Sequence, residues 1–296
     1  MSVAEPHHVP VLVGEVLKFL APEAGQIIVD ATVGAGGHAR LLADRLGPSG
    51  HLIGLDRDET MLALARRRLV ASGCQISMMK ENSERLREVL DQLGIAAVDG
   101  VLADLGICSD QLDDPSRGLS FQQPGPLDMR MDVTAGPPAS DLLRRLNERE
   151  LADLFWQFGE ERFSWRIARR IVATRRREPL ATTEQLAQLV RSCVPRPRRR
   201  QIDPATRVFQ ALRIAVNDEL AALDRFLEKL PSCLKPGGRA VIISFHSLED
   251  RRVKQAFRDR RHWEVLTKKP VQAGEEELRQ NPRARSAKLR AASRLR

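Results

Sequence analysis

The 296-residue chain is marked first by what it lacks. No apolar run approaches the roughly 20 residues a helix needs to span a bilayer, so no membrane partner is expected. The opening residues, Met-Ser-Val-Ala-Glu-Pro-His-His, lack the basic and apolar regions of a secretory leader, which makes a cytoplasmic protein the expectation. The four cysteines, Cys74, Cys108, Cys193 and Cys233, lie far apart and form no CxxC pair. That spacing argues against a disulfide framework and against a zinc site, and no metal is expected. What remains is ordinary: a 42% hydrophobic and 29% charged composition suits a soluble globular protein. The length suits one large domain or two ordinary ones.

Lysine is missing from one place. Between Glu160 and Arg213 stand 14 arginines and 5 acidic residues without a single lysine, whereas the rest of the chain holds 34 basic and 34 acidic residues. The whole net charge of +9 therefore sits on this segment. Arginine forks grip phosphate, while solvation alone has no preference for arginine over lysine. A polyanion, nucleic acid above all, is the expected partner; a solvated helical face is the plainer alternative. The proline-punctuated run Arg196-Pro-Arg-Arg-Arg200 suits an exposed loop, and Arg198, Arg199 and Arg200 are candidate substrate contacts.

Ile27 to His38 reads Ile-Ile-Val-Asp-Ala-Thr-Val-Gly-Ala-Gly-Gly-His: a buried strand ending in Asp30, a glycine turn, then a helix start. Glycine allows backbone to approach a ligand, and a helix N-terminus offers unpaired N–H groups. Around it, a helix over 11–20, strands at about 26–30, 51–56, 75–79 and 98–104, and helices at about 38–46, 58–72 and 83–93 alternate as in a parallel sheet. From Gly106 to about Pro204 no strand is convincing. Asp113 to Gly136 reads as an ordered loop, and Leu142 to Cys193 as helices anchored by Trp156, Phe158, Phe163 and Trp165, expected in a core rather than on a base-stacking surface. A long helix over about 205–229 and a turn at Leu234-Lys-Pro-Gly-Gly238 lead into a strand over 239–245, with an antiparallel edge pair at about 263–267 and 286–291. The expected fold is therefore α/β, a Rossmann-like sheet with an inserted all-helical domain: residues 1–109 and 205–296 form the sheet domain, and 110–204 the helical substrate-binding insertion.

The glycines fit a dinucleotide fingerprint poorly, since Gly34 and Gly36 are followed at once by Gly37. Asp30 before the turn would repel a pyrophosphate. S-adenosylmethionine, with an ammonium, a sulfonium, a ribose diol and no phosphate, suits that acid better. Asp56 at the end of strand two would accept both ribose hydroxyls, and Asp104 at the end of strand four would lie near the methionine end or the adenine. Three acids on neighbouring strand ends point to a Rossmann-like methyltransferase.

The blocks Gly34-Ala-Gly-Gly-His38, Asp104-Leu-Gly, Gln111-Leu-Asp-Asp114, Gly125 to Asp132, Gly159-Glu-Glu-Arg-Phe163, Pro204 to Arg213, Ser244 to Arg251 and Asn281 to Ser286 have no generic structural reason to exist. With them the chain resembles, along nearly its whole length, the bacterial ribosomal small-subunit RNA cytosine-N4 methyltransferase family. The resemblance implies transfer of a methyl group from S-adenosylmethionine to a cytidine of 16S rRNA near the P site, position 1402 in ribosomal numbering. It implies cofactor contacts at Gly36, Gly37, His38, Asp56, Asp104 and Gln111. Where the family often holds an adenine-stacking aromatic, this chain has Asn82, so a polar edge contact is expected instead.

The amine to be methylated is a poor nucleophile, and acceptors on its N–H groups would raise electron density on nitrogen. Asp104 is a candidate for that part, with cofactor binding alone as the alternative. His246 is a candidate for bonding the base or for acid–base work, a structural role being equally open. Ser244, Phe245 and Ser247 could hold the extruded base, with Phe245 stacking on it. Action on another nucleic acid, a nicotinamide-dependent oxidoreductase and a non-catalytic RNA-binding assembly factor are the competing readings. Naked rRNA or assembled subunit as substrate, and monomer or homodimer, are left open by the residues.

Overall fold

The computed structural model describes residues 9–195 and 203–296; Arg198, Arg199 and Arg200 lie outside the described residues. The chain divides into two compact units, Met1–Cys108 with Leu220–Arg296, and Ser109–Glu219.

In chain order the first unit begins with α1 (Val13–Leu20), β1 (Ile27–Asp30), α2 (Gly37–Leu46), β2 (His51–Asp56), α3 (Glu59–Leu69), β3 (Gln75–Lys80), α4 (Leu86–Gln92) and β4 (Val98–Asp104). The second unit follows with α5 (Ser109–Asp113), α6 (Ala139–Arg145), α7 (Glu148–Gly159), α8 (Ser164–Arg175), α9 (Thr183–Cys193) and α10 (Ala205–Asn217). The chain then returns through α11 (Glu219–Cys233), β5 (Leu234–Ser244), α12 (Ser247–Ala256), β6 (Trp263–Val265), α13 (Glu275–Gln280) and β7 (Lys288–Arg294).

The strands form one sheet in the order β3-β2-β1-β4-β5-β7-β6. β1 to β5 are parallel, and β7 runs antiparallel to both β5 and β6. Successive side chains of a strand point to opposite faces, and a sheet covered on both sides needs apolar residues on each. Ile28, Leu52, Leu102 and Val241 accordingly join α1, α2 and α3 on one face, while their chain neighbours Val29, Ile53, Val101 and Ile242 meet α4, α11 and α12 on the other. The Leu234–Gly238 turn is absorbed into β5 as an irregularity: Val98 pairs with Leu234 and Gly100 with Arg239.

The second unit is helical. Its described residues make one isolated strand-type bridge, Pro126 with Thr182. The loop that precedes α6 is held by its own polar groups. Arg117 Nη2 donates to the carbonyls of Arg130 (3.0 Å) and Met131 (2.7 Å), and Arg130 forks onto Asp128. Gly125 lies so close to Pro115 that a Cβ would stand 2.0 Å from its carbonyl oxygen. Buried Asn217 on α10 clasps the loop, accepting from the Met131 N–H (2.7 Å) and donating to the Met129 carbonyl (2.8 Å).

Three expectations are corrected. The helix expected over 205–229 is two helices, because Asp218 turns left-handed (φ 50°) and its N–H closes on the Ile214 carbonyl. Arg213 then forks onto Glu219 at 2.8 and 2.9 Å across the break. The boundary expected at 205 moves to 220, because α10 packs on α7 and α9 and so belongs to the helical unit. The aromatic anchors, finally, are mostly on the surface: Trp156, Trp165 and Phe163 are 59%, 52% and 37% exposed. Helical phase explains this. On α7 the buried stripe is Leu151, Ala152, Phe155 and Gly159, and on α8 it is Ser164, Ile167, Ala168 and Ile171, so each tryptophan sits one residue past the inward line.

Replacing Asn217 with Ala removes both halves of the clasp, and each backbone group so stranded costs about 1–3 kcal/mol. We expect Asn217→Ala to lower the urea midpoint of the helical unit and to expose the loop over 114–138 to proteolysis. Unchanged midpoint and cleavage pattern would show that the loop is held by other means.

Candidate active site

After β1 the chain builds outward to β2 and β3, then crosses back to lay β4 on the other side of β1. The carboxyl ends of β1 and β4 therefore flank the switch point, where an open α/β sheet leaves a crevice for ligands. Asp30, Asp56 and Asp104 are the last residues of β1, β2 and β4.

The glycine turn links these ends. The Gly34 N–H donates to Asp56 Oδ2 (2.9 Å) and the Asp58 N–H to Asp56 Oδ1 (2.9 Å). The Thr32 N–H donates to Asp30 Oδ1 (3.3 Å), and the Asp104 N–H donates to Thr32 Oγ1 (2.6 Å). Gly36 is left-handed (φ +84°), and a Cβ there would meet Ala65 Cα of α3 at 3.1 Å, so both conformation and space require glycine. Gly37 opens α2 against Pro10.

The acids are costly where they stand. Burial pushes Asp30 up to about 7, with negative Asp56 adding to it. Burial also lifts Asp56 to about 6, outweighing its backbone donors. Asp104 rises well above the usual carboxylate range through burial, then through the charges of Asp30 and Glu249. Its Oδ1 is buried without a hydrogen-bond partner. Its Oδ2 lies 3.7 Å from His38 Nδ1, and His38 Nε2 donates to the Val11 carbonyl (2.8 Å), which fixes the ring. Buried carboxylates that raise one another's proton affinity suit a ligand that brings positive charge and hydroxyl donors.

The other candidates are placed as follows. Asn82, just past β3, caps a short turn by accepting from the Glu84 N–H, and the neighbouring Glu81 N–H bonds the Asp56 carbonyl. Its polar head thus belongs to the strand end beside Asp56. His246 is the N-cap of α12: its Nδ1 accepts from the Glu249 N–H (3.3 Å), and its Nε2 lies 3.2 Å from Glu249 Oε1. The Ser244 hydroxyl donates to the Lys288 carbonyl (3.3 Å), and the Phe245 N–H donates to Glu249 Oε2 (2.9 Å). Ser247 is the first residue of α12. Gln111 is buried on α5, in the helical unit. The structure brings together His38, Asp56, Asp104 and the glycines; Ser244, Phe245, His246 and Ser247 gather at the end of β5, next to β4.

Two residues escaped the sequence reading. Thr32 ties the β1 and β4 ends, a role that no spacing announces. Glu249, buried and charged against Asp104, was findable: His246-Ser-Leu-Glu249 has the spacing of a capping box with histidine in place of the usual hydroxyl residue.

A parallel sheet in this order, with a glycine turn and acids on the strand ends, is a Rossmann-like fold. Residues 5–295 match the model of the MraW methylase family, and the chain belongs to that family. It is 48% identical to ribosomal RNA small subunit methyltransferase H of Geotalea uraniireducens (strain Rf4), over 98% of this chain and 99% of the relative. It is 51% identical to the protein of the same name from Sorangium cellulosum (strain So ce56), over 97% and 91%. Among solved structures, an rRNA methylase from Streptococcus thermophilus aligns at TM-score 0.43 and 13% identity, covering 100% of this chain and 99% of its own.

The acids give a pH signature. Asp30 binds its proton more tightly folded (about 7) than a free aspartate does (about 4), so folding stability falls as pH rises across that interval. Asp30→Asn removes this titration. The melting-temperature difference, variant minus parent, should therefore climb between about pH 4 and pH 7 without ligand. A difference that stays flat would mean Asp30 is not held protonated by its burial.

Proposed function

We propose that this chain transfers the methyl group of S-adenosylmethionine to the exocyclic N4 of a cytidine in 16S rRNA, near the P site of the small ribosomal subunit. The observation that carries the reading is the buried, partnerless Asp104 Oδ1 within a ring of acids, at the strand ends where the glycine turn lies. Relatives of similar length bear the name of a small-subunit rRNA methyltransferase, which supports RNA as the substrate.

The residues fit the cofactor. Its ammonium, sulfonium and ribose diol match carboxylates, and it has no phosphate for Asp30 to repel. Asp56, steadied by two backbone donors, keeps lone pairs for the diol. Gly34, Gly36 and Gly37 let backbone pass close to it, and Asn82 offers a polar contact at the end of β3. His38 keeps the floor of the site fixed through Val11. When bound, the cofactor supplies an electrophilic methyl carbon on sulfur.

The protein's own part is to hold N4 in line with that carbon and to accept its N–H hydrogens. Asp104 is suited to both tasks. Ionised beside the positive charge of a bound cofactor, its carboxylate would accept an N–H hydrogen and raise electron density on nitrogen. Its raised proton affinity would let it take the proton that N4 gives up as the methyl group passes from sulfur to nitrogen. His246 is engaged in capping α12 and positions Glu249. Phe245 and Ser247 stand at the neighbouring strand end, where an extruded base would be received. The arginine-rich helical unit contributes the affinity for the RNA backbone.

Asp56→Ala should weaken S-adenosylmethionine binding in calorimetry by at least about tenfold, the cost of a hydrogen bond to a charged acceptor, with the fold intact by circular dichroism. Unchanged affinity refutes the site. Mass mapping of rRNA from cells lacking the protein should show one methyl missing from a cytosine amine; an intact methylation pattern refutes the reaction. A non-catalytic assembly role would instead let the Asp56→Ala protein restore growth in full.

A further inference from the structure

The helical unit carries an exposed surface rich in arginine and aromatic side chains. Arg162, Trp165, Arg166, Arg169, Arg170 and Arg176 are exposed on one side of α8 and its flanks, opposite Ile167, Ala168 and Ile171, with exposed Phe163 and Arg177 beside them and Glu178 the one acid that follows. Arg169 pairs with Glu148. Arg162, Arg166, Arg170, Arg176 and Arg177 have no carboxylate within ion-pair distance among the described residues. Trp156 projects from the last turn of α7 and Trp165 from the first turn of α8, each more than half exposed, on the two sides of the short connection that also carries Phe163. Burying a tryptophan is worth several kcal/mol, so two left outside, beside unpaired guanidinium groups, call for an occupant.

We propose that this face binds a single-stranded segment of the substrate RNA, with unpaired bases stacked on Trp156 and Trp165 and phosphates on Arg162, Arg166 and Arg170. The inference rests on RNA being the substrate and adds where and how it is gripped. Charge complementarity selects a polyanion. Flat aromatic surface selects unpaired bases, since a duplex hides its base faces and offers only its backbone. The twelve-residue α8 is about 18 Å long, room for a few extended nucleotides. Arginine also stacks on bases through its planar head, which explains why the face has arginine where lysine would serve solvation equally well.

The full-length protein is titrated with a fluorescently labelled, unstructured RNA oligonucleotide and with the same strand in a duplex, over a range of salt concentrations. Trp156→Ala with Trp165→Ala should weaken single-strand binding by about tenfold or more, leave duplex binding and the salt slope unchanged, and be largely rescued by phenylalanine at both positions. Arg162, Arg166 and Arg170 changed together to Gln should flatten the slope by about two, at about 0.7 per phosphate contact. Cofactor affinity should stay at the parental value in all variants. Parental single-strand affinity in the double alanine variant overturns the stacking face while leaving methyl transfer standing. Equal losses for single strand and duplex overturn it too, since they show a general defect. A parent protein that binds cofactor but no RNA defeats the underlying reading itself.

Discussion

The structure depends on holding three carboxylates together at the end of a parallel sheet, Asp30 buried and Asp56 and Asp104 half-buried. Each strand delivers its acid because a parallel strand flanked by helices ends where its hydrophobic run ends, and β1, β2 and β4 all end on aspartate. Left alone, such acids take up protons, as Asp30 and Asp56 do near neutrality. The fold offsets the cost with backbone donors rather than cations: Gly34 and Asp58 serve Asp56, and Thr32 serves Asp30. Asp104 keeps a buried oxygen without a hydrogen-bond partner. A lysine or arginine there would stabilise the empty protein, and would also occupy the place that a cationic ligand needs.

Much of this was legible in the sequence because it obeys short-range rules. Short continuous apolar runs gave the strands, the cluster Gly34, Gly36 and Gly37 marked the tight turn, and terminal aspartates marked the crevice. What was not legible depends on phase and long-range packing. Trp156 and Trp165 look like core by composition, and only the angular position relative to Phe155 and Ile167 turns them outward. The break at Asp218 interrupts an unbroken apolar stripe, so periodicity runs straight across it; a left-handed residue and the Arg213–Glu219 fork decide it. Thr32 is invisible because its task is to bridge strands that are 72 positions apart.

His246 shows how a candidate catalytic residue can also carry a structural task. A histidine just past a strand end, near a proposed base site, invites an acid–base role. Its Nδ1, however, is committed to the Glu249 N–H, and Glu249 returns two backbone bonds to Phe245 and His246. The pair forms a reciprocal cap that starts α12 and holds a buried carboxylate near Asp104. The consequence for chemistry is indirect: Glu249 adds negative potential that raises the proton affinity of Asp104, the group suited to receiving a proton from an amine.

The division of labour between the units follows from their electrostatics. The sheet unit gathers negative charge out of water, where each carboxylate acts strongly and over short range, as a small cationic ligand requires. The helical unit spreads positive charge over solvent-exposed guanidinium groups, where attraction is long-ranged, weak per contact and sensitive to salt, as a large polyanion requires. One surface cannot do both, since arginines near the acids would neutralise them and acids on α8 would repel phosphate. Placing the two charge systems in separate compact units, one inserted between β4 and the return of the chain at α11, lets each be built to its own ligand without cancelling the other.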